Sequence, residues 1–471
     1  MEVPNLLLER IGAYYLMMNQ RIINIAQKIG MDKAIAYTSG NGIIGAFIGV
    51  FSVILYATCL TKEEQGYYYT FASVLAIQGF FELGFTGIMT QFVAHEHAHL
   101  SWTADGVGLD GESKYRSRLA SLLHICVKWY SIVAALFLIA LQVAGTFFFE
   151  EFGKDEGVDW KMPWIIISAM SAWSLFIAPL FSFMNGLGLV KDMAKMSFFR
   201  TIVNTIVLWG CLLVGMKLYS MAFSAIISAV YVILYFATHK FFKIFVGIWN
   251  TELSERVSYM TEIFPYQWRI ALSWMSGYFV FNFMNPVIFA SVGSVAAGQF
   301  GMSINVLNQI RNFAMSWITT KIPLMSRLIE IKDYFDLDRL FQKTVIQEII
   351  VCLVLLCGFW IAIVGLRETQ FAFYGNVLSE RFLDYISLFL VTIPVILQAV
   401  TDNFATYLRC HKKEPFLIFS IVSGIASAIS ILVMGKYFGL YGICGGYCFL
   451  AVAFFPWGYR IFKTKKSEWH K

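Results

Sequence analysis

The sequence predicts an all-α integral membrane protein of about twelve transmembrane helices, arranged as two six-helix lobes related by a parallel pseudo-two-fold repeat. Three observations lead there. The 471 residues are 58% hydrophobic and 14% charged, with a mean hydropathy of +0.65, a composition far from that of soluble globular domains. Twelve apolar segments are each long enough to cross a bilayer. The Lys and Arg residues gather on alternate connections between those segments, as the positive-inside rule requires.

The apolar segments fall near 36–60, 67–94, 119–148, 163–189, 197–214, 219–238, 266–291, 293–318, 344–366, 383–409, 415–434 and 439–460. With both termini placed in the cytoplasm, the inside connections hold 28 Lys and Arg and the outside ones 7, and Lys128 alone lies well within a span. A missed or extra span would scramble that asymmetry. Ahead of the first span, Leu7, Ile11, Tyr14, Met18, Ile22, Ile25 and Ile29 form an apolar stripe, with Arg10, Arg21, Asn24 and Lys28 elsewhere on the wheel. It reads either as a helix lying in the cytoplasmic interface or as an amphipathic helix packed on the protein. The first long apolar run is long enough to span, so no cleavable signal peptide is expected.

Outside connections are short, the longest being 149–162 and 367–382, which leaves no room for an external domain. The longer cytoplasmic connections are 95–118, 239–265 and 319–343, and two carry clusters of opposite charge suited to short surface helices. The expected division is a cytoplasmic amphipathic segment 1–35, a first lobe 36–238, an inter-lobe linker 239–265, a second lobe 266–460 and a basic tail 461–471. The net charge of +6 is dispersed over loops and is explained by topology, so no nucleic-acid partner is expected. The eight cysteines show neither disulfide nor zinc-ribbon spacing, and all but Cys410 lie within spans.

A weak internal repeat supports the two lobes. A shift of 232 residues lays Gly66 on Gly298 and Val74-Leu75 on Val306-Leu307, and a shift of 220 lays Gly215 on Gly435. The order of loop lengths repeats as well. Parallel repeats of six spans place a substrate path at the lobe interface near the midplane.

The richest stretch is 265–321, where two spans each carry one polar stripe. Gln267, Trp274, Tyr278, Asn282 and Asn285 share a face of the seventh span; Gly301, Asn305, Asn308, Asn312 and Ser316 share a face of the eighth. An unpaired amide in hydrocarbon costs kilocalories, so such stripes face protein or a wet cavity. Polar residues also glue helices together, and any single Asn is as readily structural as functional.

Glu63-Glu64-Gln65-Gly66-Tyr67-Tyr68, Glu82-Leu83-Gly84-Phe85, the run 265–271 (PYQWRIA) and the run 297–302 (AGQFGM), set in two six-span lobes, resemble Wzx-type polysaccharide flippases. These are O-antigen and lipid-linked oligosaccharide carriers of the multidrug/oligosaccharidyl-lipid/polysaccharide exporter superfamily. The resemblance covers about 36–460. It implies a bacterial inner-membrane protein, not an enzyme, that turns an undecaprenyl-diphosphate-linked oligosaccharide from the cytoplasmic to the external leaflet by alternating access. A coupling proton or sodium ion would be the only small accessory species. Membrane lipids and other glycan-assembly proteins, as for lipopolysaccharide, would be its partners.

A lipid-linked diphosphate needs a charge partner at depth, and its sugars need hydrogen bonds. Lys128, roughly 15 Å from the cytoplasmic end of its helix, with Arg269 and Arg311 nearer the cytoplasm, are the candidate cations. Snorkelling for Lys128 and interfacial anchoring for the arginines are the structural alternatives. Trp274 and Tyr278 could stack on sugar rings, and Asn282, Asn285, Asn305 and Asn308 could bond hydroxyls. Glu82, midway along the second span, and Asp402, beside Asn403 in the tenth, are the candidate ion-coupling acids, with pairing of Glu82 to a base such as Lys128 as the structural alternative.

His95-Glu96-His97-Ala98-His99 fits the His-Glu-x-x-His pattern of zinc proteases, and Leu109-Asp110-Gly111 follows it. The pattern lies at the cytoplasmic exit of the second span and the second motif on a hydrophilic loop, so no metal is assigned. A multidrug or cation-coupled efflux carrier is the main alternative within the same superfamily. A glycan polymerase or ligase would need a large external loop.

Overall fold

In the computed structural model the described residues are 45, 48, 49, 51–82, 84–154, 157–373, 375–411 and 413–470, without the side chains of Tyr266, Arg269, Ile270, Ser273, Trp274 and Phe373. Among these, seven helices are long and apolar enough to cross a membrane, and Lys62–Glu82 with Phe85–His97 makes an eighth as a pair bent by 40°. The 53-residue helix Leu417–Trp469 is two spans, because Gly439 at φ 57°, ψ −139° breaks it, a conformation only glycine adopts readily. Phe264–Phe281 with Met284–Ser291 forms the seventh span and Ser294–Thr319 the eighth. The first span is described from 51 to 59. Twelve spans result, in the order the sequence predicts. The amphipathic stretch 7–29 lies outside the described residues.

The third to sixth spans are Ser113–Phe152, Lys161–Gly186, Val190–Leu213 and Tyr219–Thr238; the ninth and tenth are Tyr334–Glu368 and Tyr385–Arg409. Large apolar side chains such as Ile361 at 74% and Phe147 at 68% exposure cover their outer surfaces, as expected where lipid is the solvent. Short helices, Phe241–Trp249 and Ile322–Glu330, occupy two of the three longer connections. The third folds into an antiparallel hairpin, Leu100–Trp102 on Leu109–Gly111. Its turn is held by Asp105, whose carboxylate accepts from the Val107 amide at 3.0 Å. The turn between the fifth and sixth spans uses Gly215 at φ 85°. Its counterpart in the second lobe is Gly439, four residues beyond the Gly435 that the sequence shift selected.

The lobes meet where the half of span two beginning at Lys62 crosses span eight. A Cβ on Gly298 would lie 2.9 Å from the Gly66 amide nitrogen and 3.2 Å from the Lys62 carbonyl oxygen, and a Cβ on Gly66 would lie 2.0 Å from the Ser294 carbonyl oxygen. Lys62 and Ser294 are related by the same 232-residue shift as Gly66 and Gly298. The contact is therefore reciprocal, as at any two-fold interface. One step along, a Cβ on Gly301 would strike the Tyr69 side chain at 2.4 Å, and these two positions obey the same shift.

The His-Glu-x-x-His segment has a structural part. Glu96, 2% exposed, accepts from Arg118 Nε at 2.9 Å, and Arg118 Nη2 donates to Glu262 at 2.7 Å. His99 stacks on Tyr115 at 4.0 Å between ring centroids. Arg118 thus ties the end of span two to the segment entering span seven. Burial pushes the Glu262 carboxyl up, but hydrogen bonds from Arg118 and the Ser258 amide outweigh it and hold the group below its ordinary value. Its contribution to stability is therefore complete above the ordinary carboxylate value and is lost as pH falls through the lower folded one. Replacing Arg118 by Met should destabilise the protein by about 3 to 5 kcal/mol, because Glu96 keeps a buried charge without its partner. The check is the thermal midpoint of purified protein, which should fall in Arg118→Met and largely recover in Arg118→Met with Glu96→Gln.

Candidate functional site: an inter-lobe cleft latched at one end

Around the Gly66/Gly298 crossing, polar groups sew the lobes together. Gln65 Nε2 donates to the Gly298 carbonyl at 2.8 Å and to the Arg381 carbonyl at 3.1 Å. Arg381, 1% exposed, reaches from the second lobe to the Leu60 carbonyl at 2.7 Å and is steadied by Asn376 at 2.8 Å. Asn376 in turn donates to the Thr58 carbonyl at 3.0 Å. Lys62 pairs with Glu380, and Tyr67 meets Phe289 edge-on at 5.0 Å. The sequence marked Arg381 only as a charge on an outside loop; its burial comes from the 3-10 turn Leu378–Arg381, which folds it back into the interface.

The eighth-span stripe starts in this latch and runs out of it. Gly301 is buried against Tyr69, whereas Asn305 and Asn312 are exposed and Asn308 is half-buried. The face therefore touches the first lobe at Gly301 and again through Gln309, against which Gly49 of span one packs so closely that a Cβ there would lie 1.5 Å from its side-chain oxygen, while Asn305 and Asn312 beside it are exposed. Gln309 Nε2 donates to Asn305 Oδ1. The seventh-span stripe is bent, since helix stops at Phe281 and restarts at Met284 with Asn282 at the break. Asn285 donates to Thr70 Oγ1 at 3.4 Å in the latch. Tyr278 packs on Phe80 of span two at 5.1 Å, and Gln267 accepts from Tyr259 at 2.7 Å. The side chains of Arg269 and Trp274 lie outside the described residues.

Each lobe also encloses a cavity. That of the second lobe, about 290 Å³, lies between spans seven, ten, eleven and twelve and is lined by Gln398, Asp402, Tyr447 and Ser420 among others. Arg311 and Asp402 come together at its edge: Nη1 lies 3.7 Å from the Asp402 carboxylate and donates to Gln398 Oε1 at 3.0 Å. The guanidinium also covers the Phe281 ring at 5.3 Å. Glu348 of span nine, fully buried, lies within electrostatic reach of Asp402 and faces Asn403 without a hydrogen bond of ordinary geometry among the described residues. The cavity of the first lobe, about 370 Å³, lies between spans two, four, five and six and is lined by Gln78, Ser171, Trp173, Arg200, Thr201, Asn204 and Ser228 among others.

Glu82 ends the first segment of span two, just before Gly84 at φ 66°. Its carboxylate accepts from Thr86, its carbonyl from Tyr130 at 2.8 Å. Lys128 is exposed and forms no ion pair among the described residues, so the two are not partners. Sequence reasoning passed over Glu348 and Arg200 for one reason. Apolarity starts the ninth span at 344 and the fifth at 197, whereas the helices start at Tyr334 and Val190. Glu348 is therefore roughly 21 Å along its helix and Arg200 roughly 15 Å along its own.

No protein-family model matches the chain, and no curated protein matches it. Solved structures do. An inward-facing conformation of a multidrug resistance MATE family transporter of the MOP superfamily matches at a TM-score of 0.62 and 14% identity, over 93% of this chain and 99% of that one. The lipid II flippase MurJ in an inward closed conformation matches at 0.56 and 12%, over 92% and 87%. The Vibrio cholerae MATE transporter VcmN, in the crystal structure of a mutant form, matches at 0.51 and 11%, over 92% and 96%. At these identities the likeness is one of fold: the twelve-helix, two-lobe architecture is shared along nearly the whole chain.

Gly298→Val should wedge the latch, since even a Cβ at that position sits 2.9 Å from backbone. In a cysteine-free background carrying Ser303→Cys, a position fully buried behind the crossing, a membrane-impermeant maleimide should label slowly. Adding Gly298→Val should raise the labelling rate at least tenfold.

Proposed function

We propose that this chain flips an isoprenoid-diphosphate-linked oligosaccharide across the bacterial inner membrane by alternating access. The segments 36–238 and 266–460 act as rocking lobes, 239–265 as their linker, and both termini lie in the cytoplasm. The observation that carries the reading is the uneven contact of the lobes, tightest at the crossing of spans two and eight. They are latched through Gly66, Gly298 and Arg381, while further along span eight Asn305 and Asn312 are exposed and only Gln309 is held close to Gly49 of span one. The charge count puts the open end in the cytoplasm, the side on which lipid-linked precursors are loaded. Amides there suit sugar hydroxyls, and the lipid tail can remain in the bilayer during passage. The name of MurJ, a lipid II flippase, supports a lipid-linked cargo on this fold.

Ion coupling falls to the second-lobe cluster. Asp402 pairs with the Arg311 guanidinium, and the buried Glu348 adds a second carboxylate within electrostatic reach of Asp402, so a proton or a sodium ion would balance the site. Glu82, at the break of span two, is placed to sense the bend of that helix. The same acids favour a second reading, efflux of an organic cation, and one solved structure with this fold is named a multidrug resistance transporter.

The test is reconstitution into liposomes with a fluorescent prenyl-diphosphate oligosaccharide, read by its accessibility to an external quencher. Wild-type protein should move it, and cross-linking Lys62→Cys to Glu380→Cys, two positions paired across the latch, should stop movement until the link is cleaved. Movement that continues in the cross-linked protein would refute alternating access through this latch. Uptake of an ethidium-type cation with no movement of the glycolipid would establish efflux instead. Glu348→Gln with Asp402→Asn should abolish the dependence of the rate on an imposed proton or sodium gradient, and an undiminished dependence would remove the cluster from coupling.

A further inference from the structure

We infer that the first-lobe cavity is a binding site for a phosphate or diphosphate group, with the Arg200 guanidinium as its charge partner. Arg200 reaches that cavity from span five, roughly 15 Å from the start of its helix, and its guanidinium lies 5.9 Å from the Phe181 ring centroid. It has no ion pair among the described residues. The rest of the lobe cannot supply one readily. Residues 33–62, which include the undescribed part of span one, contain no Asp or Glu, and neither do the fourth and sixth spans. Asp192, the acid of span five, is eight residues back, roughly 12 Å along the helix. Glu82, one turn past Gln78, accepts from Thr86 instead.

An arginine at this depth without a counter-charge is costly, and an anionic ligand removes the cost. The planar fork of a guanidinium matches phosphate oxygens better than an ammonium does. The neighbours supply neutral donors. Gln78 Oε1 accepts from Ser171 at 3.1 Å, which leaves the Gln78 amide nitrogen free to donate, and the Asn204 amide has no hydrogen bond among the described residues. At about 370 Å³ the cavity is within the usual range for small-ligand pockets. The matching cavity of the second lobe does not offer this chemistry: Arg311 there already faces Asp402, and Arg409 is held by Glu414 at 2.8 Å. The inference deepens the flippase reading by giving the diphosphate a place in the first lobe, and the assay below does not depend on any glycan.

The experiment measures binding to the full chain in neutral-lipid nanodiscs, through quenching of tryptophan fluorescence, to which Trp173 in the cavity wall contributes. The probes are inorganic pyrophosphate and farnesyl diphosphate. Wild-type protein should bind both; Arg200→Gln should weaken both at least tenfold, and Arg200→Lys by less. Because Arg200→Gln alters a packed side chain, Asn204→Asp serves as the second variant. It keeps the arginine and sets a carboxylate one turn away on the same face, so it should lose binding with an unchanged thermal midpoint. Tighter binding of farnesyl diphosphate than of pyrophosphate, both lost in the variants, would assign the site to a membrane-borne diphosphate; equal affinities would assign it to a free one. Wild-type affinity for both probes in Arg200→Gln and Asn204→Asp overturns the inference. Binding that depends on Arg200, in a protein that moves no lipid-linked oligosaccharide, would uphold the site and remove the flippase reading. Movement with no dependence of binding on Arg200 would do the reverse.

Discussion

The close crossing of spans two and eight is the constraint on which the rest of the structure depends. Two glycines related by the internal repeat let two backbones approach to a distance that no side chain would permit. Small residues have this role in membranes because lipid tails are as apolar as leucine, so packing and hydrogen bonds must supply the association energy. Here both are concentrated at the crossing. Gln65, Asn376 and Arg381 make their bonds to backbone carbonyls across the crossing, so the latch is specific in register without needing a dry apolar interface. Such carbonyls are left accessible where helices end, which is why the latch lies at span termini.

Helix breaks set the geometry away from the crossing. Span two bends at Glu82–Gly84 and span seven at Asn282–Phe283, positions facing each other through Phe80 and Tyr278. A break in a membrane helix frees backbone groups that must be satisfied by protein or water, and in transporters such breaks mark the path. Each break here carries a polar side chain of its own, Glu82 in one and Asn282 in the other. Spans two and seven, which touch across the lobes through Phe80 and Tyr278, are thus both bent, whereas span eight is unbroken over Ser294–Thr319, and a bend is where a helix can change shape without disturbing the packing at its ends.

Much of this was legible in the sequence, and the limits are physical. Span number and the two-fold repeat were visible because apolar length and the 232-residue register are properties of the chain alone; Gly66, Gly298, Tyr69 and Gly301 all obey that register. The pairing of Arg311 with Asp402 was half visible, as two charges in the cytoplasmic part of their spans but without the knowledge that they met. Glu348 and Arg200 were hidden because hydropathy finds where a span becomes apolar, not where its helix begins, and polar first turns make both residues look interfacial. Arg381 was hidden because a loop charge and a latch charge have the same letter. Tyr278 read as free because periodicity assigns a face but not its neighbour, and that neighbour is Phe80.

The repeat also makes the differences between lobes informative. Three equivalent spans line each cavity, with span two completing the first and span seven the second, so backbone geometry alone would equip them much alike. The side chains do not: the first has a guanidinium with neutral donors, the second a guanidinium paired with Asp402, which has a second acid, Glu348, within electrostatic reach. In a low-dielectric interior each arrangement is balanced by a species of opposite kind, an anion in the first and a cation or proton in the second. Under the proposed rocking the wetting of both cavities changes together, since span two lines the first, span seven lines the second, and the two meet through Phe80 and Tyr278. A ligand that neutralises one lobe therefore alters the cost of the same motion borne by the other, which is the thermodynamic content of coupling between two sites. In the function proposed, the scaffold supplies the shared motion and the unequal charges give the two ligands something to exchange through it.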